Sequence, residues 1–126
     1  MEYPLRVLRY GLVPDSGGPG KYRGGLSIRK DIQALKPVLF FAHSDRHRIP
    51  PWGLKGGSFG GCGRFRLNPD SPEMKIISSK VSDVLVHEGD VISVQTAGGG
   101  GIWGILSPRF LVILKASTHQ TPVSAE

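Results

Sequence analysis

The densest cluster of side chains that could do chemistry is the segment SDRHR at residues 44–48, which precedes a glycine- and proline-rich loop at residues 49–57. The guanidinium groups of Arg46 and Arg48 could each bind a carboxylate or a phosphate through two parallel hydrogen bonds. Two prolines would stiffen the loop behind them. The alternative is structural, because Asp45 could pair with either arginine and hold the long loop in place. We take this anchoring role as the working hypothesis for Arg46.

The candidate substrate or interface residues lie in this loop and in the other glycine-rich segments. Glycine is the default residue where the backbone needs a positive φ or a very close approach to other atoms, and loops on a rigid β scaffold commonly build sites and interfaces. An equal alternative is that these glycines only form tight turns. The candidates are Arg23, Asp45, Arg46, Arg48, Trp52, Gly98, Gly99, Gly100 and Gly101. Trp52 is expected to pack under its loop rather than to stack on a ligand.

Patterns for a metal site or a catalytic nucleophile are weak. His43 and His47 have the spacing of a metal pair on a helix, but the preceding residues resemble a strand, on which the two rings would lie about 13 Å apart. Cys62 has no histidine partner in a recognisable motif, and Ser16 lacks the sequence frame of a serine hydrolase. We therefore predict no metal site and name no catalytic residue.

Two glycine runs match nucleotide-binding loops only superficially. GGPGK at residues 17–21 is followed by Tyr22, where a phosphate loop has Ser or Thr. GGGIWG at residues 99–104 matches the pattern GxGxxG, but no helix begins there and no acidic residue follows at the distance needed to hold a ribose. No cofactor is therefore expected on this chain.

Alternating apolar and polar residues predict β-strands along most of the chain. In residues 26–32 the alternation predicts a half-buried strand whose apolar side chains face inward and whose Ser27, Arg29 and Asp31 face outward. The run VLFF at residues 38–41 is apolar throughout, which indicates a strand buried on both faces. The predicted strands are residues 5–10, 26–32, 38–41, 74–77, 81–86, 91–95 and, as a strand rather than a short helix, 110–116.

One local turn has a clear sequence signal. HEGD at residues 87–90 has the composition of a turn and predicts a hairpin between residues 81–86 and 91–95.

The composition indicates a single all-β domain. The chain has 126 residues with 18 glycines and 10 prolines, which suit many turns and little helix. We predict mainly antiparallel strands with long glycine-rich loops, as a sandwich or barrel, in one domain at residues 1–116 with a loose tail at 117–126. The single cysteine excludes an intrachain disulfide. Without a signal-peptide pattern or a bilayer-length apolar run, a cytoplasmic protein without membrane contact is expected.

The net charge is +6, from 16 Lys and Arg against 10 Asp and Glu. This excess would suit an anionic ligand, a nucleic acid or an acidic protein surface. The basic residues are scattered along the chain rather than concentrated, which argues against a nucleic-acid partner. A stand-alone basic module that binds an anion or a nucleic acid remains the alternative function.

Three stretches, in this order, resemble the carboxy-terminal part of the hydantoinase B/oxoprolinase family. They are DSGGPGKYRGG at residues 15–25, DR at 45–46 with PPWGLKGG at 50–57, and GD at 89–90 with TAGGGG at 96–101. The resemblance implies a cytoplasmic ATP-dependent system that opens cyclic amides such as hydantoin or 5-oxoproline, with ketone carboxylases such as the acetone carboxylase alpha subunit as relatives.

The resemblance also implies that this chain works beside other polypeptides. Its expected partners are a hydantoinase A-type subunit, which would handle the nucleotide, and the remainder of a B-type subunit several times longer than this chain. ATP and a divalent metal would belong to the full complex and not to this chain. The expected function is that of a C-terminal domain or fragment, structural or interface-forming by itself and inactive alone. No catalytic or metal-binding role is carried onto any matched residue.

The sequence departs from the family pattern after the glycine tetrad. The family usually has an aromatic residue, glycine, an acid or amide and proline there, whereas this chain has IWGILSPR at residues 102–109. Residues 110–126 do not resemble the usual ending. The resemblance therefore does not extend to the last predicted strand or to subunit contacts made by that end.

Overall fold

The computed structural model describes residues 2–104, within which the regular secondary structure is entirely β. The strands in chain order are β1 (Leu5–Leu12), β2 (Ile28–Ala34), β3 (Val38–His43), β4 (Arg64–Leu67), β5 (Lys75–Ile77), β6 (Lys80–Val86) and β7 (Val91–Gln95). All of their pairings are antiparallel. The predicted all-β, antiparallel fold with little helix is confirmed. The predicted strand at residues 110–116 and the tail at 117–126 lie outside the described residues.

A five-stranded main sheet has the order β1, β2, β7, β4, β5, while β3 and β6 form a separate pair. Directly paired residues in antiparallel strands point to the same face of a sheet. One row across the main sheet joins Val7, Ile32, Ile92 and Leu67. This row lies on the apolar face of the main sheet, against which β3 and β6 pack.

The hydrophobic core lies between that apolar face and the β3–β6 pair. Ala34, Val86 and Ile92 are its buried centre, and Val38 and Phe40 of β3 pack around them. The core covers the middle of the main sheet, whereas every residue of β1 is exposed. Within residues 2–104 no helix could span a membrane.

The burial of β2 and the residues before it differs from the predicted pattern. Ser27 and Asp31 are almost fully buried, whereas Ile28 is 37% exposed. Buried polar groups are usually hydrogen-bonded, as the Ser27 backbone and the Asp31 carboxylate are here, whereas the Ser27 hydroxyl has no partner within residues 2–104. The Ser27 N–H donates to the Ser16 hydroxyl oxygen at 2.6 Å, and the Asp31 carboxylate accepts hydrogen bonds from Arg29.

The prediction that residues 38–41 are buried on both faces is wrong. β3 alternates, with Val38 and Phe40 in contact with the core and Leu39 and Phe41 exposed to 56% and 62%. Only one face of β3 packs against the main sheet. Within the described residues, no further layer covers the other face.

The predicted hairpin at residues 87–90 is also wrong, although its turn forms. The Asp90 N–H donates to the His87 carbonyl oxygen at 3.1 Å, and Gly89 has a φ of 88°. The two strands then separate, because β6 pairs with β3 while β7 inserts between β2 and β4. This insertion places Ile92 in the middle of the apolar face, a burial that a local hairpin would not provide.

Candidate functional site

Three glycine-rich segments, residues 15–25, 50–63 and 96–104, meet in a region of tight backbone packing that we call the glycine core. They are far apart in the sequence, yet hydrogen bonds join them directly. The Gly18 N–H, for example, donates to the Gly99 carbonyl oxygen at 2.8 Å. The structure therefore brings together the glycine-rich parts of the three stretches that carry the sequence resemblance.

The third segment lies between the other two. Gly99 exchanges hydrogen bonds with the first segment, since its N–H donates to Gly25 and its carbonyl accepts from Gly18. Gly101 turns instead to the second segment, where its N–H donates to the Ser58 carbonyl oxygen at 2.9 Å. Within the tetrad, Gly99 thus bonds to the first segment, whereas Gly98 and Gly101 bond to the second.

Close backbone approach is what requires glycine in this core. A Cβ atom on Gly98 would collide with the carbonyl oxygen of Ser16, and one on Gly100 would collide with the carbonyl oxygen of Trp52. By contrast, Gly56 is the glycine of the core with a positive φ, at 86°. The sequence left two roles open for these glycines, close backbone contact or turn formation. At the tetrad, close backbone contact is the role observed.

Arg46 stacks over Trp52 at the edge of the glycine core. Its guanidinium carbon lies 4.4 Å from the centroid of the indole ring, which is a cation–π arrangement. The Arg46 backbone has a φ of 62°, and its carbonyl oxygen accepts a hydrogen bond from the Gly63 N–H. Trp52 is 57% exposed, so the expectation that it packs beneath its loop is wrong. The indole ring is instead a surface platform for Arg46.

Asp45 does not anchor Arg46, contrary to the working hypothesis. Within residues 2–104, Asp45 pairs with Lys80, with Oδ1 and Nζ 4.0 Å apart, and both side chains are largely exposed. Such a pair contributes little to stability. The Arg46 guanidinium instead lies over the Trp52 ring, 4.4 Å from its centroid.

Arg23 closes the first glycine-rich segment on itself. Its Nη2 donates to Asp15 Oδ1 at 2.7 Å, and its Nε lies 3.5 Å from the Gly17 carbonyl oxygen. The Arg23 side chain is about half exposed. The arginine therefore shapes the segment while presenting part of its surface outward, and its interface role stays a prediction.

Arg48 lines a cationic groove of about 910 Å³. Arg64, Arg66 and Lys80 line the same groove, together with apolar side chains such as Ile76, and no carboxylate of residues 2–104 does so. Arg64 and Arg66 were not among the sequence candidates, although the alternation RFR in β4 places both on one face of a strand. The charge of this groove suits a carboxylate or phosphate group.

The His47 ring packs inside the described part of the chain. It contacts the Phe65 ring, with centroids 4.6 Å apart, and the backbone of Gly63. Burial lowers the pKa of His47, and the charge of Asp45 opposes this in part. Within residues 2–104, its Nε2 atom has no hydrogen-bond partner, and no group of three or more His, Cys, Asp and Glu side chains could hold a metal ion.

A buried ion-pair network around Asp31 was missed by the sequence analysis. Asp31 is 4% exposed, and Arg29 donates to both of its carboxylate oxygens, while Arg9 Nε lies 3.9 Å away. Burial raises the pKa of Asp31, but hydrogen bonds from Arg29 and Ser93 and the nearby positive charges outweigh it and leave this pKa below its ordinary value. The available signal was Arg29 and Asp31 two residues apart on one strand face.

Comparison with known proteins gives one family and a consistent fold. The family model described as hydantoinase B/oxoprolinase matches residues 1–105. An uncharacterized protein of Methanocaldococcus jannaschii is 41% identical over 100 residues, which cover 79% of this chain and 17% of that protein. The provisionally named B-type subunit of a D-/L-hydantoinase from Pseudomonas sp. is 32% identical over 101 residues, covering 79% of this chain and 17% of that protein.

A solved structure shares the fold. The ATP-dependent caprolactamase from Pseudomonas jessenii matches with a TM-score of 0.72 and 23% identity, over 94% of this chain and 21% of the caprolactamase chain. This chain therefore spans about a sixth to a fifth of the length of these similar proteins.

Proposed function

The chain belongs to the hydantoinase B/oxoprolinase family, and from this premise we propose that it is the carboxy-terminal β section of a B-type subunit. Its work is to build structure and interfaces within an ATP-dependent hydrolase of cyclic amides such as hydantoin or 5-oxoproline. Its partners are the remainder of the B-type polypeptide and a hydantoinase A-type subunit that handles the nucleotide. ATP and a divalent metal are bound by those parts, in the cytoplasm, and ring opening needs the whole complex.

The observation that carries this proposal is the balance between buried and exposed apolar side chains. Within residues 2–104, five apolar side chains are buried, whereas twenty large apolar side chains are exposed. Exposure of this many large apolar side chains is typical of a protein section that further protein covers. Because the chain spans 17% of the length of each relative described above, a much larger polypeptide is available in the family to cover it.

The glycine core supports a structural role. Its tight contacts join backbone to backbone, so it offers few side chains for chemistry but holds the three segments in a fixed relation. Arg23 and Arg46 lie at the margin of the glycine core. The Arg23 side chain is about half exposed, and the Arg46 guanidinium stacks on the exposed ring of Trp52. Such rigidly held arginines are suited to contacts with carboxylates of a partner.

The test replaces the matched section of 101 residues in the B-type hydantoinase polypeptide of Pseudomonas with the corresponding section of this chain. We call this protein the Pseudomonas chimera. It is purified with its A-type partner and assayed for ATP-dependent opening of hydantoin, beside an identical chimera carrying Gly100→Ala. We expect the Pseudomonas chimera to fold and to open hydantoin, and the Gly100→Ala version to fail in folding. A folded chimera that binds its A-type partner and yet has no activity contradicts the proposal.

The alternative of a stand-alone basic module is not favoured by the family match.

A further inference from the structure

Strand β1 carries a row of apolar side chains on the same face of the main sheet that forms the core elsewhere. Its pairing with β2 aligns Leu5 with Ala34, Val7 with Ile32, Tyr10 with Lys30 and Leu12 with Ile28. The Lys30 ammonium group lies 5.8 Å from the Tyr10 ring centroid, which agrees with this register. We call Leu5, Val7, Tyr10 and Leu12 the β1 apolar face.

Burial decreases steadily toward β1 along one row of this sheet. Ile92, in the centre, is 7% exposed, Ile32 is partly buried, and Val7, at the edge, is 54% exposed. The reason is that the β3–β6 pair covers the middle of the main sheet and does not reach β1. The second layer of the fold is therefore incomplete over β1.

The other face of β1 has a different chemistry. Arg6 pairs in register with Gln33, and Arg9 with Asp31, so charged and polar side chains prevail there. The strand is thus amphipathic, and its exposed apolar side continues the core. In an antiparallel sheet in water, the apolar face is normally the one that packs against the core.

The exposure of the β1 apolar face is large for a chain in water. Leu5, Val7, Tyr10 and Leu12 are 44%, 54%, 70% and 64% exposed. β1 is also an edge strand of eight residues, with one backbone edge unpaired in the described part of the chain. Long apolar edge strands are liabilities that native proteins cover.

We propose that another segment of the complete B-type polypeptide packs on the β1 apolar face and completes the second layer of the fold. This inference rests on the proposed function. The complete polypeptide is long enough to supply this segment, because the same fold occupies 21% of the caprolactamase chain and the matched section 17% of the Pseudomonas relative. A covering segment in the same polypeptide acts at a high effective concentration, which a second copy of this chain lacks.

The test measures burial of single cysteines in a Cys62→Ser background. Val7→Cys places a thiol on the β1 apolar face, and Arg6→Cys is the matched control on the opposite face of the same strand. Each is introduced into the isolated chain and into the Pseudomonas chimera, and maleimide labelling at that residue is followed by peptide mass spectrometry. Leu12→Cys is made in parallel, so that labelling of the β1 apolar face can still be measured if Val7→Cys does not fold.

We expect labelling at position 7 or 12 to slow at least about tenfold on going from the isolated chain to the chimera, because a buried thiol reacts only on local opening. The control at position 6 should change by less than about twofold, since it stays in contact with solvent. Equal labelling of Val7→Cys in both proteins overturns the inference, as does equal protection of positions 6 and 7.

Three further outcomes separate the possible occupants and the two proposals. Concentration-dependent protection of position 7 in the isolated chain would identify a second copy as the occupant and overturn the inference. An active chimera in which position 7 labels freely contradicts only the docking inference. A folded chimera with position 7 protected but without ring opening contradicts only the proposed function.

Discussion

Arg29 and Asp31 of β2 form a two-point ion pair on the polar face of the main sheet. The Arg29 Nε and Nη2 atoms donate to the two carboxylate oxygens at 3.0 and 2.9 Å. The register continues this polar row from Asp31 to Ser93 and then to Arg66. The carboxylate is nearly buried, so its charge depends on these donors.

We predict that Asp31→Asn lowers the free energy of unfolding at neutral pH by about 1–3 kcal/mol, since it leaves charged hydrogen-bond donors poorly satisfied. The folded-state pKa of Asp31 lies below its ordinary value of 3.8. A depressed carboxylate pKa contributes stability above the unfolded-state pKa, and that contribution is lost as pH falls through the folded-state pKa. Urea unfolding of both proteins over this acidic range should show the difference shrinking, and a pH-independent difference would contradict the assignment.

Gly100→Ala should prevent stable folding. The new Cβ would collide with the backbone carbonyl oxygen of Trp52, which cannot move aside as a side chain can. We expect a loss of about 3 kcal/mol or more. The matched control is Gly25→Ala, because a Cβ added at that position would have no atom within 4 Å and the backbone φ there is not positive. Circular dichroism melts should separate the two variants, and similar midpoints would refute the close-approach account.

Arg46 and Trp52 should be energetically coupled. A double-mutant cycle with Arg46→Ala and Trp52→Ala should give a coupling free energy of about 0.5–1 kcal/mol, the range of an exposed cation–π pair. Asp45→Ala serves as the control and should change stability by less than about 0.5 kcal/mol, since its pair with Lys80 is exposed. Thermal unfolding measures both the coupling free energy and the effect of Asp45→Ala. Additive effects at positions 46 and 52, with a larger loss at position 45, would restore the anchoring hypothesis.

The isolated chain should show no ATP-dependent opening of hydantoin or 5-oxoproline. The physical reason is that no set of acid, base, nucleophile and metal ligands could be identified in the sequence, and the nucleotide is proposed to bind elsewhere. Steady-state assays of purified chain with each ring substrate check this. Turnover that persists across independent preparations and disappears on Gly100→Ala would show that the chain itself is a catalyst.

Nucleic-acid binding by the isolated chain should be weak and sequence-independent. Because any such binding would rest on phosphate contacts that carry no sequence information, we expect dissociation constants no tighter than about 10⁻⁶ M near physiological salt, and affinity should fall steeply as salt rises. Fluorescence anisotropy with labelled DNA and RNA duplexes of two unrelated sequences measures this. Tight binding that prefers one sequence would favour the basic-module alternative.

Local patterns in the sequence locate most of the strands and show which segments are unusual. Side-chain alternation is a local property, so residues 5–10, 74–77, 81–86 and 91–95 were located within or close to observed strands. β4 was missed because its four residues, with two arginines, are too few to show a clear alternation. The order of the three glycine-rich stretches also indicated the family, since an ordered set of motifs is a linear property of the chain.

Strand pairing and the need for glycine depend on contacts between residues that are distant in the sequence. The turn at residues 87–90 is local, but burying Ile92 between β2 and β4 outweighs a hairpin with β6. The need for glycine at Gly98 and Gly100 comes from carbonyl oxygens that are distant in sequence, so no local pattern could distinguish close approach from a turn. Asp31 likewise became a buried charge through donors on its own and neighbouring strands. Contacts between residues that are far apart in the sequence determine which side of an alternating strand is buried in the core.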